Sequence, residues 1–589
     1  MNRCVIVLLS VLIFSGLGAL GADVAVWTES PGTMILASRP AGAGKNIVRS
    51  GVRNEYVCAQ IGVRAGQDQD GPYAFEWGEL SGPAGKITKD NITLFRAADI
   101  VVDHYPYKHN LKPDDWTSVR ARPLGSFPDA LVPLYTAAGE NFANSIALKK
   151  EQTLSFWVDI YIPENTKPGA YSGTIQFKSG SAAVADIPLN LQVLDLTIPK
   201  YSTFPSLFNL RFYNHAHIAK NLDAYVEETL KHRLSPTCYA YVQTAMRDGF
   251  GQLDKLTPNG VGYTSVYVTN TQVDDKTPQT IESVKKITAH LKEKNLFEHS
   301  YLYLKDEPDQ KDLQGIADFT NALLKEIPEW KGKTLCTLRF ENAPTDAVVT
   351  HHVRIPPHYD SWAWTKFADR DQWDKWRSEG RQIWMYIGAA VELPFANYDV
   401  NAPNLAYEAR VLPWGYWHEK AAGHLYWDLM FLQSWELSKK WPPGDGELMY
   451  PGDFNLPGAP SWTLSKDLHG PVVSRRLKLN REGLEEWELL TMAQKKVGRE
   501  KVEAVVAKVY TALGKSVNYD PAHPMWSYNE ADWDKARDEV IQLLLQNTKG
   551  VATTSIPWDE LIGIITWDDA RFDMSELRAT DPRCRKKSK

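Results

Sequence analysis

The sequence predicts a multidomain protein: an antiparallel β-sandwich over residues 23–200, then a (β/α)8 barrel of the TIM type with closing C-terminal helices over 201–550. Three observations predict it. The chain has 589 residues, 43% hydrophobic and 23% charged, which is too long for one ordinary domain and enough to fill more than one core. Up to residue 200, short β-rich runs alternate with Pro, Gly and Asp turns, with almost no helical period. Beyond it the pattern becomes strand, then helix, repeated.

The first element is an address label. Met1-Asn2-Arg3 gives a basic start, Cys4 to Leu20 is continuously apolar, and the small residues Gly18, Ala19, Gly21 and Ala22 precede Asp23. This is the pattern of a secretory signal peptide over 1–22, so the chain is expected outside the cytoplasm, secreted or periplasmic. No other run approaches membrane length, so no span is expected after cleavage. Cys58, Cys238, Cys336 and Cys584 are scattered without a CxxC pair, which excludes a zinc ribbon or a disulfide framework.

Sandwich strands are expected at 54–65, 91–102, 152–163, 169–180 and 185–199, each alternating inward and outward residues. Eight further strands follow at 204–212, 235–243, 263–270, 300–307, 334–340, 359–367, 381–389 and 423–430. Amphipathic stretches at 222–234, 280–296, 312–327 and 369–380 lie between them. An open doubly wound sheet is the rival architecture, but no Gly-rich phosphate loop follows the first of these strands. Residues 481–546 read as helices that close the barrel, and 551–589 as an extension without an assignable role.

Charge narrows the function. Lys+Arg 66 against Asp+Glu 72 leaves a net charge of −6, without the clustered positive charge that nucleic acid requires. The 21 tryptophans suit either sugar rings, which stack on flat aromatic faces, or simply large cores. Barrel enzymes gather their chemistry at the C-terminal ends of the strands, and there the fourth strand ends in Asp306-Glu307-Pro308. Leu302 and Leu304 share parity with Asp306, and Tyr301, Tyr303 and Lys305 with Glu307. Pro308 cannot donate to a ladder, so pairing stops there and both carboxylates can reach the mouth. Adjacent carboxylates repel and raise one pKa, as a general acid requires. The alternative is a helix N-cap, where acids meet the macrodipole.

The segments YLYLKDEPD (301–309), RQIWMYIGA (381–389), EARVLPWGYWHEKAAGHLYWDL (408–429), GDGELMYPG (444–452) and PVVSRRLKLNREGLEEWELL (471–490) together resemble glycoside hydrolase family 123. The resemblance covers roughly 201–490, and the family's preceding β-sandwich matches 23–200 in kind. It implies a retaining N-acetyl-β-galactosaminidase that uses substrate assistance, with Glu307 as general acid/base and Asp306 orienting and stabilising the 2-acetamido group. The acetamido oxygen is then the nucleophile, so the enzyme supplies no attacking carboxylate.

A conventional nucleophile would lie near Glu392, after the seventh strand, and would have Asn rather than Asp306 before the acid. Tyr386 matches a family tyrosine, able to donate to the acetamido oxygen or simply half-buried in the barrel. Trp427 suits sugar stacking and Asp428 a hydroxyl, although the family often has an amide after this tryptophan. Arg410 matches a family arginine, as a hydroxyl clamp or a surface ion pair. Trp362, Trp364, Asn209 and Arg211 either line the pocket or fill the core. His351, His352 and His358 read as a Pro-rich loop before the sixth strand, away from the mouth, so no metal is expected. No cofactor is expected, and the partner is a glycan or glycoconjugate substrate. A noncatalytic carbohydrate-binding or surface protein that keeps the barrel is the alternative, and turnover of aryl glycosides separates the two.

Overall fold

The structure is a computed structural model. It describes residues 24–83, 85–103, 124–212, 216–237, 240–241, 249–267, 280–306, 308, 310–337, 351–354, 374–375, 377–387, 396–400, 407–439, 443–510 and 526–546. The expected signal peptide, Glu307, His358, Trp362, Trp364, Glu392 and the extension 551–589 lie outside the described residues.

The N-terminal domain is β-rich and built from two sheets. One runs Val24–Glu29, Tyr56–Ala65, Thr153–Tyr161, Ile92–Val102 and Gly125–Pro133, and continues into Val472–Ser474 and Met449–Tyr450. The other runs Ile47–Arg53, Ala182–Thr197, Gly169–Ser179, Gln69–Trp77 and Ile146–Leu148. Inward residues such as Ile61, Phe75, Phe156, Phe177, Leu189 and Leu191 form their common core. In Ala182–Thr197 the alternation is as the sequence predicts, with Ile187, Leu189 and Leu191 buried between more exposed neighbours. Tyr56–Ala65 and Thr153–Tyr161 depart from it and are buried on both faces. Their second face is covered by the helix Arg475–Val497.

That helix ties together the domains on either side of the boundary expected at 200/201. Ser474 caps it, its side chain accepting the Leu477 N–H at 3.0 Å. Almost every side of it is buried, because it lies between the sandwich and the second domain rather than on a barrel surface. Its cations dock on sandwich carboxylates. Arg476 donates to Asp129 at 2.8 and 3.0 Å, while Lys478 and Arg481 reach Asp159 at 2.6 and 3.0 Å. Val52, Cys58, Leu131 and Trp157 of the sandwich share a core with Phe208, Tyr426, Leu477 and Trp414. The two domains share one interior.

The second sheet domain is a wholly parallel ladder: Pro236–Thr237, Ser206–Asn209, Gly423–Tyr426, Gln382–Ile387, His351–Arg354, Thr334–Thr337, Ser300–Lys305, Thr264–Tyr267 and Ala240–Tyr241. Both faces are covered, as parallel sheets require. Leu302 and Leu304 pack with Val284, Ile287, Ile316 and Leu323 of the helices Thr280–Glu293 and Leu313–Glu326. Tyr301 and Tyr303 lie on the opposite face, with Leu207, Leu335, Trp384, Tyr386 and Leu425.

The sixth place in the ladder is held by His351–Arg354, a segment the sequence reading leaves in a Pro-rich loop. Its short strand ends just before Pro356-Pro357, and the richer aromatic pattern of 359–367 drew the assignment further along the chain. Cys58 and Cys336 are free and buried.

Candidate active site

All strands of the ladder point the same way, so their C-terminal ends share one edge, and Asp306 stands there. It follows Ser300–Lys305 directly, and its side chain returns to the sheet: Oδ1 accepts from the Tyr303 hydroxyl at 3.0 Å and from Thr337 Oγ1 at 2.8 Å. Strand parity alone would put Asp306 on the helix-covered face with Leu302 and Leu304. A register shift between Tyr303 and Lys305 reverses the parity instead, as a bulge does. The same shift sends Lys305 to Asp312 at 2.8 Å. The helix that follows starts at Leu313, with Asp312 at its N-cap, so the helix-cap alternative does not describe Asp306.

A second group gathers where Ser206–Asn209 and Gly423–Tyr426 end. Asp428 is fully buried, its Oδ2 at 2.5 Å from Arg211 Nε and 3.2 Å from Asn209 Nδ2. Its Oδ1 accepts the Met430 N–H at 3.0 Å. Burial outweighs Arg211 and these donors and pushes its carboxyl up to about 7. Arg211 also lies 5.0 Å from the centre of the Phe431 ring and 6.0 Å from that of half-buried Trp427. An aromatic face and a guanidinium fixed from beneath by a buried carboxylate thus converge, which suits a polyhydroxylated ring.

Two residues here escape the sequence reading. Asp445 accepts from Trp427 Nε1 at 2.8 Å and from the Tyr426 hydroxyl at 3.3 Å, and burial pushes its carboxyl up to about 7. Glu447 accepts the Leu432 N–H, and burial, with Asp428 and Asp445 nearby, holds it well above the usual carboxylate range. The signal is present in the run Gly444-Asp445-Gly446-Glu447, in which acids alternate with glycines. Gly446 has φ +75°, and a Cβ there would come within 2.4 Å of the Trp427 ring. Gly446→Ala is therefore expected to cost about 1–3 kcal/mol in strain and to raise KM by displacing Trp427, as denaturation midpoints and steady-state kinetics would show.

Arg410 is not part of this edge. It is 1% exposed on the helix Glu408–His418, and its guanidinium is taken up by Glu486 at 2.6 Å and Asp534 at 2.7 Å. Trp414 Nε1 donates to the same Glu486 at 2.7 Å. The hydroxyl clamp is thus replaced by a buried ion pair that joins helices. Tyr386 is buried one residue before its strand ends, on the face shared with Tyr303. Among the described residues no group of three or more His, Cys, Asp or Glu side chains could hold a metal ion.

Comparison with known proteins bears on the family and the fold. The model of the glycoside hydrolase 123 catalytic domain matches residues 220–493, and that of the glycoside hydrolase 123 N-terminal domain matches 39–179. No curated protein matches. Among solved structures, the chain is similar to a family 123 glycoside hydrolase from Clostridium perfringens, studied for glycolipid glycan hydrolysis. That match has a TM-score of 0.62 and 14% identity over 88% of this chain and 97% of that one, a likeness of fold. A family 39 glycoside hydrolase from Bacteroides cellulosilyticus WH2 also matches, with a TM-score of 0.32 and 8% identity over 75% of this chain and 82% of that one. With both halves matched to one family, catalytic and N-terminal, the chain belongs to glycoside hydrolase family 123 and is a glycosidase.

Proposed function

We propose that the protein is an exported, retaining N-acetyl-β-hexosaminidase, acting on galacto-configured substrates, whose nucleophile is the substrate's own 2-acetamido oxygen. In this reading the ladder closes into a (β/α)8 barrel: its two end segments, Pro236–Thr237 and Ala240–Tyr241, are close in the chain, and from Thr264–Tyr267 to Gly423–Tyr426 the strands follow sequence order before returning to the first, Ser206–Asn209. The N-terminal signal pattern supports export.

The observation that carries the reading is Asp306, held at the C-terminal edge by two hydroxyl donors and followed directly by Glu307. Glu307 gives its proton to the leaving oxygen while the acetamido oxygen attacks C1 from the opposite face. Positive charge develops on the acetamide N–H, and the oriented carboxylate of Asp306 meets it. Water then opens the oxazolinium ring with Glu307 as base, so two inversions leave the configuration retained. Trp427 and Arg211 meet the sugar ring and its hydroxyls, and buried Asp428 holds the Arg211 guanidinium from beneath.

The test is turnover of aryl β-glycosides. The 2-acetamido sugars should be hydrolysed, the galacto form faster than the gluco form, and the 2-hydroxy sugar should be inert. A β-galactoside hydrolysed as well as its 2-acetamido counterpart would sink the proposal.

A further inference from the structure

Trp427 can orient a sugar ring only if its own ring is held, and a half-buried tryptophan has two side-chain torsions to fix. The surroundings fix it from several sides. Phe431 lies against it, with ring centres 4.9 Å apart. Gly446 approaches so closely that a methyl group would overlap the indole. The indole's only polar group, Nε1–H, donates to Asp445 Oδ1 at 2.8 Å. Asp445 is tied in turn to the backbone: the Tyr426 hydroxyl donates to the same oxygen at 3.3 Å and accepts the Gly446 N–H at 2.7 Å.

This arrangement is costly for the fold. Asp445 is 8% exposed, and its Oδ2 is buried without a hydrogen-bond partner among the described residues. A buried carboxylate with an unsatisfied oxygen destabilises the native state, and an apolar residue of similar size would not. What the carboxylate supplies, and an apolar side chain cannot, is an acceptor at a fixed point for the indole.

We propose that Asp445 is a positioning residue for the glycosidase: it sets the plane of Trp427, and through it the affinity for the sugar ring, without touching the reacting atoms. The inference rests on the sugar-stacking role given to Trp427 above. Asp445→Leu should raise KM about tenfold, the effect of one lost charge-assisted hydrogen bond, with a much smaller change in kcat. Asp445→Asn, which keeps an acceptor toward the indole, should bring KM back toward the wild-type value. Trp427→Phe removes the donor and keeps the ring, so it should reproduce the KM rise, and adding Asp445→Leu to it should cost little more.

An unchanged KM in Asp445→Leu, a loss confined to kcat, or fully additive effects would overturn the proposal. Should the Leu variant fail to fold, an unchanged KM in Trp427→Phe would overturn it alone. Hydrolysis of 2-hydroxy but not 2-acetamido glycosides would instead overturn the substrate class, and the same comparison of KM would then be read on the accepted glycoside. An enzyme that turns over no aryl glycoside would overturn both.

Discussion

Asp306→Asn should lower kcat by a factor of about 10²–10³, the loss seen when one preorganised stabilising group is removed from a developing charge. The amide keeps the shape and can still accept from Tyr303 and Thr337, but it offers no negative charge to the acetamide. KM should change much less, because the lost interaction strengthens only as the oxazolinium forms. A thiazoline that mimics that ring should inhibit the wild type strongly and the variant weakly. Glu307→Gln should act differently, harming poor leaving groups most, since activated aryl leaving groups scarcely need a proton. Glu392→Gln should leave most activity intact. If it instead abolished turnover, and azide restored it as a glycosyl azide of inverted configuration, Glu392 would be a conventional nucleophile and the substrate-assisted reading wrong.

Asp159→Asn should destabilise the protein by about 3–5 kcal/mol, the penalty for breaking a buried pair and leaving its charge unmatched. The cations left behind, Lys478 and Arg481, are both buried on the helix between the domains. The variant should also change the pH dependence. Burial alone would raise the Asp159 carboxyl, but Arg481 and Lys478 together hold it well below the usual carboxylate range. A depressed acid contributes stability above its unfolded pKa, about 3.9, and loses it as pH falls through that value toward the folded one.

Asp428 and Asp445 have the opposite sign. Burial pushes both up to about 7, so the native state takes up protons and gains stability as pH falls from about 7 to about 4. Wild-type stability should therefore peak between roughly pH 4 and 6, and the acid-side decline should be shallower in Asp159→Asn. Urea denaturation from about pH 2 to about pH 8 would show both limbs. A variant as stable as the wild type at neutral pH would mean that the helix does not depend on this pair.

Much of the site was legible because it follows from strand position. The stop at Pro308 places Asp306, and the ends of the first and eighth expected strands carry Asn209, Arg211, Trp427 and Asp428. The register shift after Tyr303 was not legible, since nothing in Tyr303-Leu304-Lys305 announces that one residue will drop out of the ladder, and only that shift gives Asp306 its two hydroxyl donors. Arg410 was misread because a helix position cannot reveal which neighbour it will meet, and Glu486 and Asp534 lie far along the chain. Asp445 and Glu447 were passed over for a related reason: turn glycines usually mark solvent-exposed loops, whereas these let a loop pack its acids beneath a tryptophan. The link between the two domains across residue 200 has the same root. Local pattern gives five of the sandwich strands, but not Val24–Glu29, Ile47–Arg53, Gln69–Trp77, Gly125–Pro133 or Ile146–Leu148, nor the two that arrive from beyond residue 440.

Those two late strands bear on how the chain is made. Among the described residues, Gly125–Pro133 pairs on its far side with Val472–Ser474, which in turn pairs with Met449–Tyr450. At translation rates of about 5–20 residues per second, tens of seconds separate the synthesis of the early strand from that of its partner. For that interval the first sheet has an open edge, and the face carrying Asp129 and Asp159 has no cations to meet it. An open edge of this kind is a template for pairing with other chains, so a fragment ending near residue 200 should aggregate rather than fold, and the nascent protein should depend on holding chaperones until the helix after Ser474 has emerged.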